Sequence, residues 1–92
     1  MTEAALQSYL MIQARAHGVY ARKVIAVANT GFPDVFLAGN GMVVLVELKH
    51  PNGKGLLSKK QLVEIDKIKS AGVMVFVIDK KEGCDNVIAM LA

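Results

Sequence analysis

The alternation of apolar and polar positions divides the chain into seven segments. Thr2 can cap a helix running from about Glu3 to His17, where the acidic Glu3 suits the positive end of the helix and Gly18 supplies a stop. Leu6, Leu10 and Gln13 follow Glu3 at helical spacing, and Ala5, Tyr9, Ile12 and Ala16 form a second stripe beside them. One stripe is expected to face the core and the other a partner. Val19 to Val27 is strand-like, and Arg22 and Lys23 in its middle mark an outer strand that ends at Asn29, Thr30, Gly31 and Pro33. Asp34 to Ala38 and Met42 to Lys49 are two further strands joined by Gly39-Asn40-Gly41, a strong hairpin signal.

Pro51, Asn52, Gly53 and Gly55 mark a loop around Lys54. Ser58 then caps a helix through about Ala71, which stops at Gly72 and has Gln61, Ile65 and Ile68 on one face. Val73 to Ile78 reads as a buried strand and Gly83 to Leu91 as a short closing helix. The order αβββαβα implies an α/β fold. Both faces of the hairpin are apolar, so its mixed sheet is expected to be covered by helices on either side.

Composition narrows the picture. Ninety-two residues leave room for one domain, 1–92. A chain of this size buries only about 60–65% of its unfolded surface, so a hydrophobic content of 53% points to a self-associating subunit. The net charge of +3 and an isoelectric point near 9.2 suit a polyanionic partner. Cys84 is the single cysteine and cannot form an internal disulfide, and no leader pattern opens the chain, so an intracellular, cytoplasmic protein is expected. No apolar run approaches the ~18 residues of a membrane span, so no membrane partner is expected.

The hairpin carries the candidate chemistry. With Asn40-Gly41 as a two-residue turn, Gly39 pairs with Met42, and each further pair keeps an index sum that also joins Asp34 to Glu47. That pair would be non-hydrogen-bonded, with Cα atoms about 4.5 Å apart and both carboxylates on one face. Like charges so placed need a raised pKa on one of them or a cation between them. Magnesium fits, because it takes oxygen ligands and keeps several waters, so that one or two carboxylates suffice. Lys49, two residues beyond Glu47, shares their face and can hold a phosphate or orient an attacking water, the chemistry of phosphodiester hydrolysis. A three-residue loop with a bulge at Gly39 or Gly41 would shift the register by one and separate the two acids.

Gly31-Phe32-Pro33-Asp34, then Val46-Glu47-Leu48-Lys49, then Gln61 in the next helix resemble the PD-(D/E)XK nuclease superfamily, and within it the VRR-NUC (virus-type replication-repair nuclease) branch. The resemblance spans Glu3 to Ile78 and implies the αβββαβ nuclease core, here followed by a short C-terminal helix. It implies that Asp34 and Glu47 are metal ligands with the Leu48 backbone carbonyl as a third, and that Lys49 is the catalytic lysine. Glu3 matches the acidic residue of the first helix that completes or supports the metal site, and Gln61 matches the glutamine after the lysine strand. It further implies a magnesium-dependent endonuclease, with manganese able to substitute and no organic cofactor, acting as a homodimer on branched DNA such as four-way junctions.

Plainer readings stand beside these. Asp34 also suits a turn after proline, Glu47 and Lys49 a surface ion pair, Glu3 a favourable charge at a helix start, and Gln61 an ordinary helix former. Lys54, Lys59 and Lys60 read either as phosphate contacts or as a solvated face. His50 points away from Lys49 and reads as a loop residue, and His17 as a helix-end residue. Cys84 and the methionines read as packing. A silent nucleic-acid-binding or scaffold subunit, and a nuclease module needing a larger partner, are the competing functional expectations.

Overall fold

A computed structural model of the chain describes residues 1–25 and 30–92. Its elements follow in the expected order: α1 (Glu3–Ala16), β1 (Tyr20–Lys23), β2 (Val35–Gly39), β3 (Met42–Leu48), α2 (Lys59–Ser70), β4 (Met74–Ile78) and α3 (Lys81–Leu91). Thr2 caps α1 by accepting from Ala5 N–H at 3.0 Å, and His17 closes it with Nδ1 2.8 Å from Gln13 O. At the start of α3 the extended Lys80 takes the N-cap position, so that helix begins two residues earlier than the glycine at position 83 suggests.

The four strands lie in the order β1-β2-β3-β4, antiparallel through β3, with β4 parallel to β3. Asn40 and Gly41 both have positive φ, 51° and 73°. This is the backbone of a two-residue hairpin turn whose twist matches its strands. Gly39 accordingly pairs with Met42 and Val35 with Val46, the register expected from the sequence; the shifted alternative is not adopted. The strand expected over 19–27 is shorter. β1 ends at Lys23, although Val24 N–H still donates to Asp34 O at 2.8 Å. Its expected end at Val27 and stop at Asn29 fall outside the described residues.

Alternation along the strands feeds two cores. Val35, Leu37, Val44, Val46 and Leu48 face α1 and α3, where they meet Leu6, Leu10, Val87, Ile88 and Leu91. Phe36, Leu45 and Val75 face α2 and pack on Ile65 and Ile68. β3 is thus an interior strand covered on both sides, and a charge on it costs free energy unless it is compensated. In α1 the Leu6, Leu10 and Ala14 side goes inward, while Ile12 of the second stripe is 63% exposed. No helix among the described residues is long and apolar enough to cross a membrane.

Candidate active site

Glu47 is the one buried charged residue among the described residues, with 2% of its surface exposed. It sits near the end of β3 on the α2 face, two residues before Lys49. The β2 ladder stops at Val35, so Asp34 lies just outside the strand rather than in a formal pair with Glu47, as the index sum had placed it. The reason is local: Asp34 follows Pro33, which has no N–H to extend the ladder, and Asp34 turns its side chain onto the neighbouring backbone. Its Oδ2 accepts from Leu48 N–H at 3.0 Å, a charge-assisted bond that anchors the carboxylate at the end of β3. In an antiparallel pair a residue's N–H and C=O point to the same side, so the Leu48 carbonyl shares that side.

The two acids still come together. Burial above all, and then the charge of Asp34, push the Glu47 carboxyl up to about 8 from its usual 4.5, with Lys49 pulling it down and Glu3 adding a further push. Glu47 Oε2 accepts from Gln61 Nε2 at 3.0 Å and lies 3.9 Å from Lys49 Nζ. Its other oxygen, Oε1, is buried without a hydrogen-bond partner. An orphaned carboxylate oxygen beside a second acid is satisfied by a proton or by a cation.

Gln61 connects the group. Besides donating to Glu47, its Oε1 accepts from Lys49 Nζ at 3.0 Å and from Ser58 N–H at 2.8 Å. Gln61 N–H donates in return to Ser58 Oγ at 3.1 Å, completing a capping box at the start of α2. The helix cap therefore fixes the glutamine, and the glutamine spaces the lysine from the glutamate. The Gly31 loop delivers Asp34 beneath the same turn. Gly31 has φ of +80°, and a Cβ there would lie 2.7 Å from the Lys60 carbonyl carbon and 2.8 Å from Gln61 N. Sequence reasoning singled out Gln61 but missed Ser58 as its anchor and Gly31 as the contact that lets loop and helix meet; the Ser58-x-x-Gln61 spacing was the available signal for the first.

Glu3 is exposed at the first position of α1. No three His, Cys, Asp or Glu side chains among the described residues are grouped closely enough to hold a metal ion, so the gathered acids are two. Lys54 lies in the exposed loop after β3, and Lys59 and Lys60 are exposed on the first turn of α2, where they border a groove with Thr30 and Lys67. His50 Nδ1 accepts from Asn52 N–H at 3.1 Å within the loop. Cys84 is fully buried, and burial pushes its thiol up to about 11.

A four-stranded mixed sheet between helices, with paired acids and a lysine at the end of its interior strand, is a nuclease-type fold. A solved VRR-NUC domain is 25% identical, with a TM-score of 0.81 and 97% of each chain covered. A second, described as a VRR-NUC domain protein, is 19% identical with a TM-score of 0.76, covering 98% of this chain and 84% of that one. The chain thus has the fold of a VRR-NUC domain over nearly its whole length. No family model and no curated protein matches the sequence.

Proposed function

We propose that the protein is an endonuclease that hydrolyses DNA phosphodiester bonds with a divalent ion, magnesium or in its place manganese. The observation that carries this reading is the buried, unpartnered Glu47 Oε1 beside Asp34. Asp34 and Glu47 would hold the ion, with the Leu48 carbonyl as a third ligand and waters filling the remaining positions, as magnesium commonly allows. When bound, the ion supplies Lewis-acid polarisation of the scissile phosphate and acidifies a water. Glu3 acts from α1 as a supporting negative charge.

The chain's own residues do the rest. Lys49 has three N–H donors, of which one is committed to Gln61; the others serve a phosphate oxygen or the attacking water as negative charge develops. Gln61 keeps that ammonium from collapsing onto Glu47, and Ser58 holds Gln61. Lys54, Lys59 and Lys60 contact flanking phosphates.

The substrate is branched DNA, such as a four-way junction, cut by a homodimer whose two-fold axis presents two centres. Self-association is supported by Met74, Phe76 and Val77, which stay 37–44% exposed on β4 at the end of the strand order.

The test is incubation of the protein with labelled four-way, flap, nicked and linear DNA in magnesium, in manganese and in EDTA. Cleavage that requires the metal, favours the four-way substrate and disappears in Lys49→Ala is expected. DNA binding without cleavage under any of these conditions would instead identify a silent subunit, and cleavage surviving Lys49→Ala would remove the mechanism.

A further inference from the structure

Nine lysines are spread over the chain, but its only two arginines, Arg15 and Arg22, meet at one place. Arg15 comes from the last turn of α1 and Arg22 from the edge strand β1. Arg15 Nη2 donates to Ala21 O at 3.0 Å, and Arg22 Nη1 donates to the same oxygen at 3.1 Å. The Arg22 guanidinium also lies 4.8 Å from the centre of the Tyr20 ring. With Lys23 the two arginines line a groove of about 600 Å³ between α1 and β1, to which Gln7 and Ser8 add polar groups and Ile12 an apolar wall.

Two guanidinium groups tied to one carbonyl repel each other, and nothing in the groove offsets them. No carboxylate lines it, and among the described residues the ion pair formed is that of Lys49 with Glu47, elsewhere. Charge on an edge strand discourages strand pairing, which accounts for Arg22 and Lys23 but not for a second arginine supplied by a helix. Each guanidinium has five N–H donors in a fixed fork suited to phosphate oxygens, and a single donor of each is used on Ala21. Their attachment to the backbone also lowers the ordering cost of binding an anion.

The groove has a direction. Lys23 at its β1 end pairs with Val35, and the next residue, Val24, is hydrogen-bonded to Asp34 O. The Lys23 end of the groove therefore lies one residue along β1 from the backbone bond to Asp34, and its lining leads from there back along β1 and α1. We infer that Arg15, Arg22 and Lys23 form a second DNA-backbone track, gripping phosphates of the strand that leaves the cleavage centre across β1. The inference rests on the nuclease reading for the identity of its polyanion.

The experiment measures binding of the full chain to a fluorescent four-way DNA in EDTA, where cleavage does not interfere, across a salt series. The double variant Arg15→Gln/Arg22→Gln should bind at least about tenfold more weakly and lower the slope of log affinity against log salt by about 1.8, the loss expected for two phosphate contacts. Lys69→Gln/Lys80→Gln, which removes the same charge elsewhere, should leave the slope within half of that change. Equal effects from the two double variants, or an unchanged slope in the arginine variant, would overturn the track. Should the arginine variant not fold, arginine-selective modification of the unaltered protein gives the same answer, because every modified site then reports on this groove. Saturating DNA should slow modification several-fold, and an unchanged rate would overturn the proposal. The two readings fail separately: cleavage with an unaltered salt slope in the arginine variant removes the track alone, whereas arginine-dependent binding by a protein that never cleaves DNA supports the track and removes the nuclease.

Discussion

Glu47 is buried beside a second acid, and its pH behaviour follows from the direction of its shift. Its folded carboxyl titrates near 8 against a usual 4.5, so between those values the folded protein holds a proton that the unfolded chain has lost. Stability of the metal-free protein should therefore be fully retained below about pH 4.5 as far as this group is concerned, fall as pH rises toward 8, and level off beyond it, since stability drops wherever the native state binds more protons. The loss comes first from burial of the carboxylate and then from the charge of Asp34 beside it. Urea denaturation across pH 5 to 9 measures it. Glu47→Gln, which removes the charge while keeping the shape, should flatten the profile and stabilise the protein at pH 8, yet abolish metal-dependent cleavage. Lys49→Ala should leave stability within about 1 kcal/mol, the worth of an average hydrogen bond, and cut single-turnover cleavage by about 10²–10³-fold, as for loss of a transition-state donor.

Elements decide whether those side chains meet. The first turn of α2 holds Gln61 by its capping box and is met from below by Gly31. Ser58→Ala should cost about 1 kcal/mol of stability as a lost cap but reduce cleavage more than that figure implies, because Gln61 loses its anchor and Lys49 its spacing from Glu47. Gly31→Ala should cost about 1–3 kcal/mol through the left-handed backbone and the close approach to the Lys60 carbonyl, and it should lower cleavage in proportion to the displacement of α2. Thermal melts beside initial cleavage rates separate the two effects. At this scale much was legible in the sequence. Asn40-Gly41 demands two positive φ angles, which sets the hairpin register and brings Asp34 near Glu47. The step from near to paired was not legible, because Pro33 ends the ladder and the Asp34 side chain caps Leu48 N–H. Helical periodicity put Glu3 on the face of Leu6 and Leu10, but those leucines are buried while Glu3 stays exposed at the helix start. The convergence of Arg15 and Arg22 on Ala21 O depends on how α1 folds back along β1, which spacing along the chain does not encode.

Over the whole molecule, charge and apolar surface separate by edge. The β1 side carries Arg15, Arg22 and Lys23, whereas β4 exposes Met74, Phe76 and Val77 without a charge within the strand. An uncharged edge strand of this kind is the place where sheets join, so Phe76→Lys should shift the protein from dimer to monomer in light scattering at micromolar concentration. A wild-type monomer there would remove the paired-centre reading while leaving the single site intact. Beneath all of these lies one claim, that the acids at the end of β3 are poised for a divalent cation. Calorimetric titration of manganese into the protein at pH 7, in two buffers of different ionisation enthalpy, tests it directly. Binding accompanied by proton release, and lost in Asp34→Asn and Glu47→Gln, is the predicted result; no binding by the unaltered protein, or equal binding by those variants, would contradict it.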